Sequence, residues 1–153
     1  MGSNMPGTDH PLLSNDHASQ WLGIEVLHVA DGQATIAMTL RPEMMNGFGI
    51  THGGMIFALA DSAFALACNP TDSDGDTVTV AAGVDVNFLA PSRAGQRITA
   101  VATRRHEQGR SGLYDVQIVS GDPGGTTVIA EFRGRSRTIP NRHTQPERSL
   151  ADD

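Results

Sequence analysis

The 153-residue sequence contains no lysine, and all eleven of its basic residues are arginine. Schiff-base chemistry and the phosphate-binding loops that depend on a lysine are therefore excluded. Any phosphate-bearing ligand would have to be bound by arginine side chains and backbone N–H groups. Several arginines cluster late in the sequence, where they either form a local anion site or lie in solvent at strand ends.

Cysteine, metal-ligand motifs, positive charge and long apolar runs are also scarce. Cys68 is the only cysteine, which excludes a disulfide framework and a cysteine zinc site. The six histidines show no spacing typical of metal ligands, so we predict no metal. The formal charge of −6 argues against nucleic-acid binding. Because we find neither a secretory leader nor a membrane-spanning run, we expect a soluble, cytoplasmic protein without membrane association.

The pattern along the chain predicts one domain with a polar segment at each end. Residues 1–15 lack periodicity and are predicted to be a disordered tail. Residues 16–139 alternate between strand-like and helix-like patterns and are predicted to form the domain. Residues 140–153 are predicted to be a polar tail. No internal repeat or second domain is visible.

The predicted domain consists of six strands, one short helix and one long helix. In chain order they are a short helix, a hairpin, the long helix and four strands, at residues 16–22, 24–30 with 33–40, 55–68, 77–89, 96–106, 112–120 and 126–139. Asp31-Gly32 is a strong hairpin signal, and short turns favour antiparallel neighbours. Gly83 predicts a bulge in the longest strand, where alternate residues from Val78 to Phe88 would share one face. The simplest arrangement is a curved antiparallel sheet wrapped around the long helix.

The most informative segment is the long helix, in which only Asp61 and Ser62 are polar. The neighbours that share a helical face with Asp61 are all apolar, namely Phe57, Ala58, Phe64 and Ala65. Burying an ionised carboxylate there would cost several kcal/mol or more without compensation. Such a residue either pairs with a structural partner, such as an arginine, or takes part in chemistry.

The glycines at the start of this helix favour chemistry. The first N–H groups of a helix have no internal partner, and the helix dipole adds partial positive charge there. Gly53 and Gly54 would let a ligand oxygen approach these N–H groups closely. Donors of this kind can stabilise an oxyanion. Together with Asp61, they would suit the hydrolysis of an activated acyl compound.

The spacing between these two groups predicts a dimer. Gly53 and Asp61 are eight residues apart on one helix, which places them roughly 12 Å apart along its axis. One acyl carbon cannot contact both groups at about 3 Å. Either the pair is a coincidence, or a second subunit supplies one of the two. We therefore predict an obligate dimer in which Gly53 of one chain faces Asp61 of the other.

Motifs along most of the chain resemble those of hotdog-fold acyl-CoA thioesterases, and the phenylacetic acid degradation type is the most similar. The resemblance covers about residues 20–139, and the motifs that carry it lie at residues 46–54, 59–65, 67–69, 85–91, 112–115 and 132–136. It implies an α+β hotdog fold, with a five- or six-stranded antiparallel sheet around a central helix. It also implies a composite dimer site and, in many members, a tetramer.

The resemblance also implies roles for four residues. The residue that matches Asp61 acts as a general base for water or as a direct nucleophile. The N–H that matches Gly53 polarises the thioester carbonyl, while Asn46 and His52 match residues that orient the water and the carbonyl. On the residues alone, His52 is equally well explained as a helix cap and Asn46 as a residue that holds a turn.

The substrate would be an aryl or short-to-medium acyl-CoA, such as phenylacetyl-CoA or a hydroxylated form. Coenzyme A is thus part of the substrate, and no other cofactor is predicted. Candidate binding residues are Gly54, Phe48, Phe57, Arg110, Ser111 and Arg135. On spacing alone, Phe48 and Phe57 fit the core better than an acyl pocket.

The sequence departs from the family pattern at one place and leaves two other functions open. Some relatives have a serine or threonine near Ala81-Ala82 that helps to position water; here Thr79 is the nearest candidate. A hotdog-fold hydratase or dehydratase would also act on acyl thioesters. A non-catalytic acyl-CoA sensor is the remaining alternative, although the chain lacks the basic recognition helix of a DNA-binding regulator.

Overall fold

The computed structural model describes residues 10–70 and 75–141. The two α-helices are α1 (His17–Leu22) and α2 (Gly53–Cys68), and short 3-10 helices lie at Pro11–Leu13 and Pro42–Met44. The strands are β1 (Glu25–Ala30), β2 (Gln33–Thr39), β3 (Thr77–Phe88), β4 (Arg97–Gln108), β5 (Ser111–Ser120) and β6 (Val128–Pro140). All of these α-helix and strand boundaries lie within two residues of the predicted ones.

The six strands form one antiparallel sheet in the order β1-β2-β4-β5-β6-β3, with α2 packed against it. This arrangement confirms the predicted α+β hotdog fold. The Asp31-Gly32 hairpin is also confirmed, because Gly32 has a φ of 73°, which suits glycine. Strands β1 and β3 form the two edges of the sheet. No helix in residues 10–70 or 75–141 has the length and apolar character needed to cross a membrane.

Helix α2 buries one side against the sheet and leaves the other side open. Phe64 is fully buried, and its ring packs edge-on against Tyr114, with centroids 5.3 Å apart, and beside Phe132. Truncating such a side chain typically costs about 3–5 kcal/mol. Asp61, in contrast, is exposed in the single chain. The expectation that Asp61 is buried is therefore wrong for one subunit, because the sheet covers only part of the helix.

The predicted bulge in β3 is present, but it changes which residues share a face. Ala81 pairs with Ser136 and Gly83 pairs with Arg135, so Ala82 is the inserted residue. Opposed residues share a face, and an extra residue reverses the alternation beyond it. Val86 therefore faces the core with Phe132, whereas Val78 and Val80 lie on the other face. The prediction of one apolar face from Val78 to Phe88 is wrong for this reason.

The domain begins earlier than predicted. His10 and Leu13 are buried, and the 3-10 helix that follows His10 packs against the core. The boundary of the disordered tail at residue 15 is therefore wrong for residues 10–15, because a leucine and a capping histidine order this segment. At the other end, Pro140 still pairs with Thr77 in the sheet. The remainder of both predicted tails, residues 1–9 and 142–153, lies outside the described residues.

Candidate active site

The start of α2 has one free backbone donor. His52 caps the helix, since its Nδ1 accepts a hydrogen bond of 2.9 Å from the Gly54 N–H. The Gly53 N–H has no acceptor in residues 10–70 or 75–141. A carbon atom at the Cβ position of Gly53 would lie 3.1 Å from Cζ of Phe88. The fold thus occupies the Gly54 N–H and leaves the Gly53 N–H available, at a position where the Phe88 ring leaves little room for a side chain.

Asn46 holds the turn before the helix and retains a free donor. Its Oδ1 accepts hydrogen bonds from the Phe48 N–H at 2.9 Å and the Ile50 N–H at 3.3 Å. Its side-chain NH2 has no partner in the part of the chain that the structure describes. Asn46 and Gly53 line the same cavity of about 460 Å³. The turn-holding role of Asn46 and a role towards a ligand are therefore compatible.

The two phenylalanines named as substrate-binding candidates have different environments. Phe48 is 88% exposed at the tip of the turn, so its interpretation as a core residue is wrong. Phe57 packs against the core, with its ring 5.8 Å from that of Phe132. Neither residue lines any of the three cavities that contain the other site candidates.

Asp61 lies on a second, smaller cavity and has no charged partner. Its carboxylate forms no ion pair or hydrogen bond within residues 10–70 and 75–141. The alternative that Asp61 pairs with a structural partner such as an arginine is therefore wrong for one chain. The cavity has a volume of about 280 Å³ and is lined mainly by apolar side chains. Although Asp61 is exposed in one chain, partial desolvation by these neighbours raises its pKa. An unpaired carboxylate with this environment can act as a base.

One chain does not bring these groups together. Asn46 and Gly53 share one cavity, whereas Asp61 lines the other. The eight-residue separation along α2 accounts for this, because it places Gly53 and Asp61 roughly 12 Å apart. His52 and Gly54 line neither cavity. The candidate site is therefore incomplete within a single subunit.

Of three further residues that line the Asp61 cavity, Asn69 and Leu12 were missed as site residues, and Thr79 was named only as a candidate to position water. Asn69 donates from Nδ2 to the Ala65 and Thr79 carbonyl oxygens, both at 2.9 Å, and accepts at 2.8 Å from the Thr79 N–H. Thr79 is the predicted substitute for the missing serine or threonine. Its hydroxyl forms a hydrogen bond of 2.8 Å with the hydroxyl of Thr138. Leu12 also lines this cavity. The Asn-Pro stop after the helix and the family motif at residues 67–69 both included Asn69, whereas nothing pointed to Leu12.

Cys68 is one of the residues that line the Asp61 cavity. Burial raises its pKa to about 12, and hydrogen bonds with Tyr114 and Ser136 oppose this increase only in part. Burial also raises the pKa of Tyr114 to about 12. Both groups are therefore protonated at neutral pH, which leaves Asp61 as the ionisable base of this cavity.

The arginine candidates divide between a third cavity and a set of ion pairs. Ser111 and Arg135 line a cavity of about 600 Å³ together with Arg137 and His106. Arg135 and Arg137 form no ion pair within the described ranges 10–70 and 75–141. Arg110 lies in the adjacent β4–β5 turn but does not line the cavity. The cavity is thus a basic one, and Arg137 and His106 were missed as members of it.

Asp115 shows why the other late arginines are different. It accepts from Arg133 at 2.7 Å and from Arg105 at 2.9 Å, and these pairings lower its pKa. Both guanidinium groups are therefore engaged at the surface. Among the described residues, no group of three or more histidine, cysteine, aspartate or glutamate side chains could bind a metal ion.

The sequence matches known thioesterases over most of its length. The family model described as Thioesterase superfamily matches residues 48–127. The acyl-coenzyme A thioesterase PaaI of Escherichia coli is 39% identical over 130 residues, covering 85% of this chain and 88% of that protein.

Solved structures show the same relationship. The structure of the E. coli PaaI protein, from the phenylacetic acid degradation operon, superposes with a TM-score of 0.76 at 38% identity and covers 84% of this chain and 88% of that one. A mutant of the phenylacetic acid degradation protein PaaI from Thermus thermophilus gives a TM-score of 0.71 at 35% identity. That match covers 80% of this chain and 98% of the other.

Proposed function

This chain belongs to the Thioesterase superfamily and is a thioester hydrolase, and we propose that its substrate is phenylacetyl-CoA, a hydroxylated form or a similar aryl or short-to-medium acyl-CoA. The products would be the free acid and coenzyme A. The observation that carries the proposal is the unpaired carboxylate of Asp61, which lines an apolar cavity large enough for an acyl group. The acyl-coenzyme A thioesterase activity of the E. coli relative supports the choice of acyl-CoA.

The complete site requires two subunits in this proposal. Gly53 and Asp61 belong to different cavities of one chain, so a twofold axis would have to bring Gly53 of one subunit to Asp61 of the other. The unpaired edge strand β3 supports such an interface, since it exposes backbone donors and acceptors together with Val80 and Val84. We further propose that the dimers pair into tetramers, as many hotdog thioesterases do.

The chemistry follows from these two groups. Asp61 removes a proton from the attacking water, or attacks the thioester carbon directly to form an anhydride that water then hydrolyses. In either case the carbonyl oxygen becomes an oxyanion, which the Gly53 N–H at the helix N-terminus stabilises. Collapse of the tetrahedral intermediate breaks the C–S bond. The leaving thiolate needs no general acid if its pKa is near that of a cysteine thiol, about 8.5.

Two further residues would orient the reactants. The free side-chain NH2 of Asn46, on the same cavity as Gly53, would donate to the water or the carbonyl. His52 would act from the helix cap: its Nδ1 accepts from Gly54, so the neutral ring carries its proton on Nε2, which is free to donate. Gly54 and the exposed ring of Phe48 would contact the substrate near this end, and Phe57 would support the acyl pocket from the core.

The basic cavity is our candidate for the nucleotide end of coenzyme A. Arg135 has no acidic partner among the described residues and lies beside Ser111, so both can bind phosphate oxygens. Arg110, in the adjoining turn, would add a third donor from the cavity mouth. Together they would supply the arginine-based anion site that a chain without lysine requires.

The test is Asp61→Asn in a thiol-release assay with phenylacetyl-CoA. The substitution keeps the size of the side chain but removes the base, so we expect kcat to fall at least about 100-fold. Glu43→Gln, at an exposed carboxylate on the 3-10 helix at Pro42–Met44, is the matched control and should retain full activity. A decrease of less than about tenfold for Asp61→Asn would refute the catalytic assignment. Turnover of an enoyl-CoA without thiol release would indicate a hydratase, and binding without turnover a sensor.

A further inference from the structure

The N-terminal segment His10–Leu13 is tied to the far end of α2 through one buried histidine. His10 is only 6% exposed, and its Nδ1 accepts a hydrogen bond of 3.1 Å from the Leu12 N–H. Nε2 of the same ring lies 2.8 Å from the backbone carbonyl oxygen of Asn69. Because a carbonyl oxygen can only accept, Nε2 carries the proton and donates it in this hydrogen bond. The ring therefore fixes the position of Leu12 relative to the end of the helix.

Asn69 connects this segment to the walls of the Asp61 cavity. Its side chain bonds both the N–H and the C=O of Thr79 on β3, and also the carbonyl oxygen of Ala65 in α2. The N-terminal segment, the helix end and the edge strand thus meet at one asparagine. Asn69 lines the same cavity as Asp61 and follows it by eight residues, so this junction lies roughly 12 Å further along the helix axis.

The side chain of Leu12 lies on that cavity together with Asp61. Leu13, the next residue, is buried in the core and anchors the segment, whereas Leu12 is 39% exposed and lines the cavity. The remaining lining includes Phe64, Ala65 and Cys68, which are apolar or protonated at neutral pH. The polar side chains of Asn69 and Thr79 in the lining are already hydrogen-bonded within the protein, so the rest of the surface around Asp61 suits an apolar acyl group.

We infer that residues 10–13 form the end wall of the acyl-binding cavity and that Leu12 is a specificity-determining residue that limits the length of the acyl group. The inference rests on the proposed function, because it identifies the far boundary of the same site. An apolar cavity of about 150 Å³ is enough to hold a benzene ring. The cavity of about 280 Å³ therefore accommodates one aromatic ring with a short linker while Leu12 is in place.

The size of the side chain at position 12 should shift selectivity in both directions. Leu12→Ala opens the end wall, so the ratio of kcat/KM for decanoyl-CoA to that for phenylacetyl-CoA should rise roughly tenfold or more. Leu12→Trp narrows the cavity and should lower the same ratio. If Leu12 had only a structural role, Leu12→Ala would lower kcat/KM for both substrates by the same factor and leave the ratio unchanged.

A matched control and a second variant distinguish an effect on the end wall of the cavity from a general loss of stability. Leu27 is also 39% exposed but lies on β1 and lines none of the three cavities, so Leu27→Ala should leave the ratio unchanged. His10→Ala removes the bond that positions Leu12 and should shift the ratio in the same direction as Leu12→Ala. If Leu12→Ala and Leu27→Ala give the same ratio within twofold, the inference is overturned.

Binding measurements keep the inference testable without turnover. Calorimetric titration with non-hydrolysable thioethers of coenzyme A, one carrying a phenethyl and one a decyl group, gives a ratio of dissociation constants for wild type and Leu12→Ala. We expect Leu12→Ala to favour the decyl thioether roughly tenfold. If the wild-type protein hydrolyses no acyl-CoA, the proposed function fails. The ratio of the two dissociation constants still tests whether Leu12 limits the length of the bound group. If neither thioether binds, the end-wall inference fails as well.

Discussion

The two halves of helix α2 carry different parts of the candidate site and are held in place in different ways. At the start of the helix, the hydrogen bonds that shape the turn and the cap join residues within a few positions of one another, as in Asn46 with Ile50 and His52 with Gly54. Around Asp61, the contacts join distant parts of the chain, including His10 with Asn69. Thr51, the residue before the cap, also bonds to Ser92, 41 residues away. The donor end therefore combines a local turn and cap with one distant anchor, whereas the carboxylate end is enclosed mainly by distant segments.

In the dimer that we propose, this difference would keep the two reactive groups apart until the subunits meet. The His52 cap sets the start of the helix at Gly53, and the bonds of Thr51 to Ser92 tie this start to the segment before β4. The environment of Asp61 requires β3 and the N-terminal segment as well, and its second side remains open in one chain. We expect perturbations at the first end to affect catalysis with little change in folding, and perturbations at the second end to affect both.

The largest expected effect is at Gly53. In Gly53→Ala the added methyl group would lie 3.1 Å from the Phe88 ring and crowd the free N–H, so kcat should fall about 100-fold. The melting temperature should not fall, since alanine is a better helix former than glycine. Gly54→Ala is the adjacent comparison: its N–H is already bonded to His52, and the added methyl group would lie 3.0 Å from Nδ1 of that ring. We expect a smaller decrease, of less than about tenfold, because no donor to the oxyanion is lost. Equal losses at both glycines would argue against Gly53 as the specific donor.

Mixing two inactive variants tests whether the two ends of the helix meet across subunits. Asp61→Asn retains Gly53, and Gly53→Ala retains Asp61, so each heterodimer would contain one intact composite site. Random pairing gives half heterodimers with one working site of two, or about a quarter of wild-type activity. The measurement is thiol release after the two variants are co-expressed or refolded together. No recovery, with heterodimers demonstrated by mass spectrometry, would place both groups in the same subunit's site.

The pH dependence is a smaller effect that reports on Asp61 alone. Desolvation raises the pKa of this carboxyl group above its ordinary value of 3.8, so the acidic limb of kcat/KM should lie above pH 3.8. The raised pKa also means that ionisation of Asp61 disfavours the folded state as pH rises through that pKa. Asp61→Asn should therefore melt at the same or a higher temperature than wild type at pH 7. The difference should disappear below pH 3.8, and a lower melting temperature at pH 7 would contradict the unpaired state.

The sequence was sufficient for the parts of the site that depend on local geometry. Gly53, Gly54 and His52 could be placed at a helix start because glycine and capping patterns are short-range signals. The strand order could not be derived from such patterns alone, although short turns and the family resemblance limited the choices. The one apolar helix was informative because its single carboxylate contrasted with every neighbour.

The errors arose where contacts between distant residues decide the outcome. The inserted Ala82 reverses the faces of β3, and alternation along the sequence cannot show where the register shifts. The first fifteen residues have a polar and irregular composition, yet His10 finds its acceptor 59 residues away. Similarly, the exposure of Asp61 depends on how far the sheet extends around the helix, which no pattern within the helix records.

The protonated thiol of Cys68 has a consequence for the durability of the protein. Acyl thioesters exchange readily with thiolates and acylate free amines, but Cys68 ionises only near pH 12 and the chain has no lysine side chain. A substrate resting against this wall therefore meets no thiolate and no lysine amine that would take its acyl group. Intact-mass measurement after many turnovers should find no acyl adduct on Cys68.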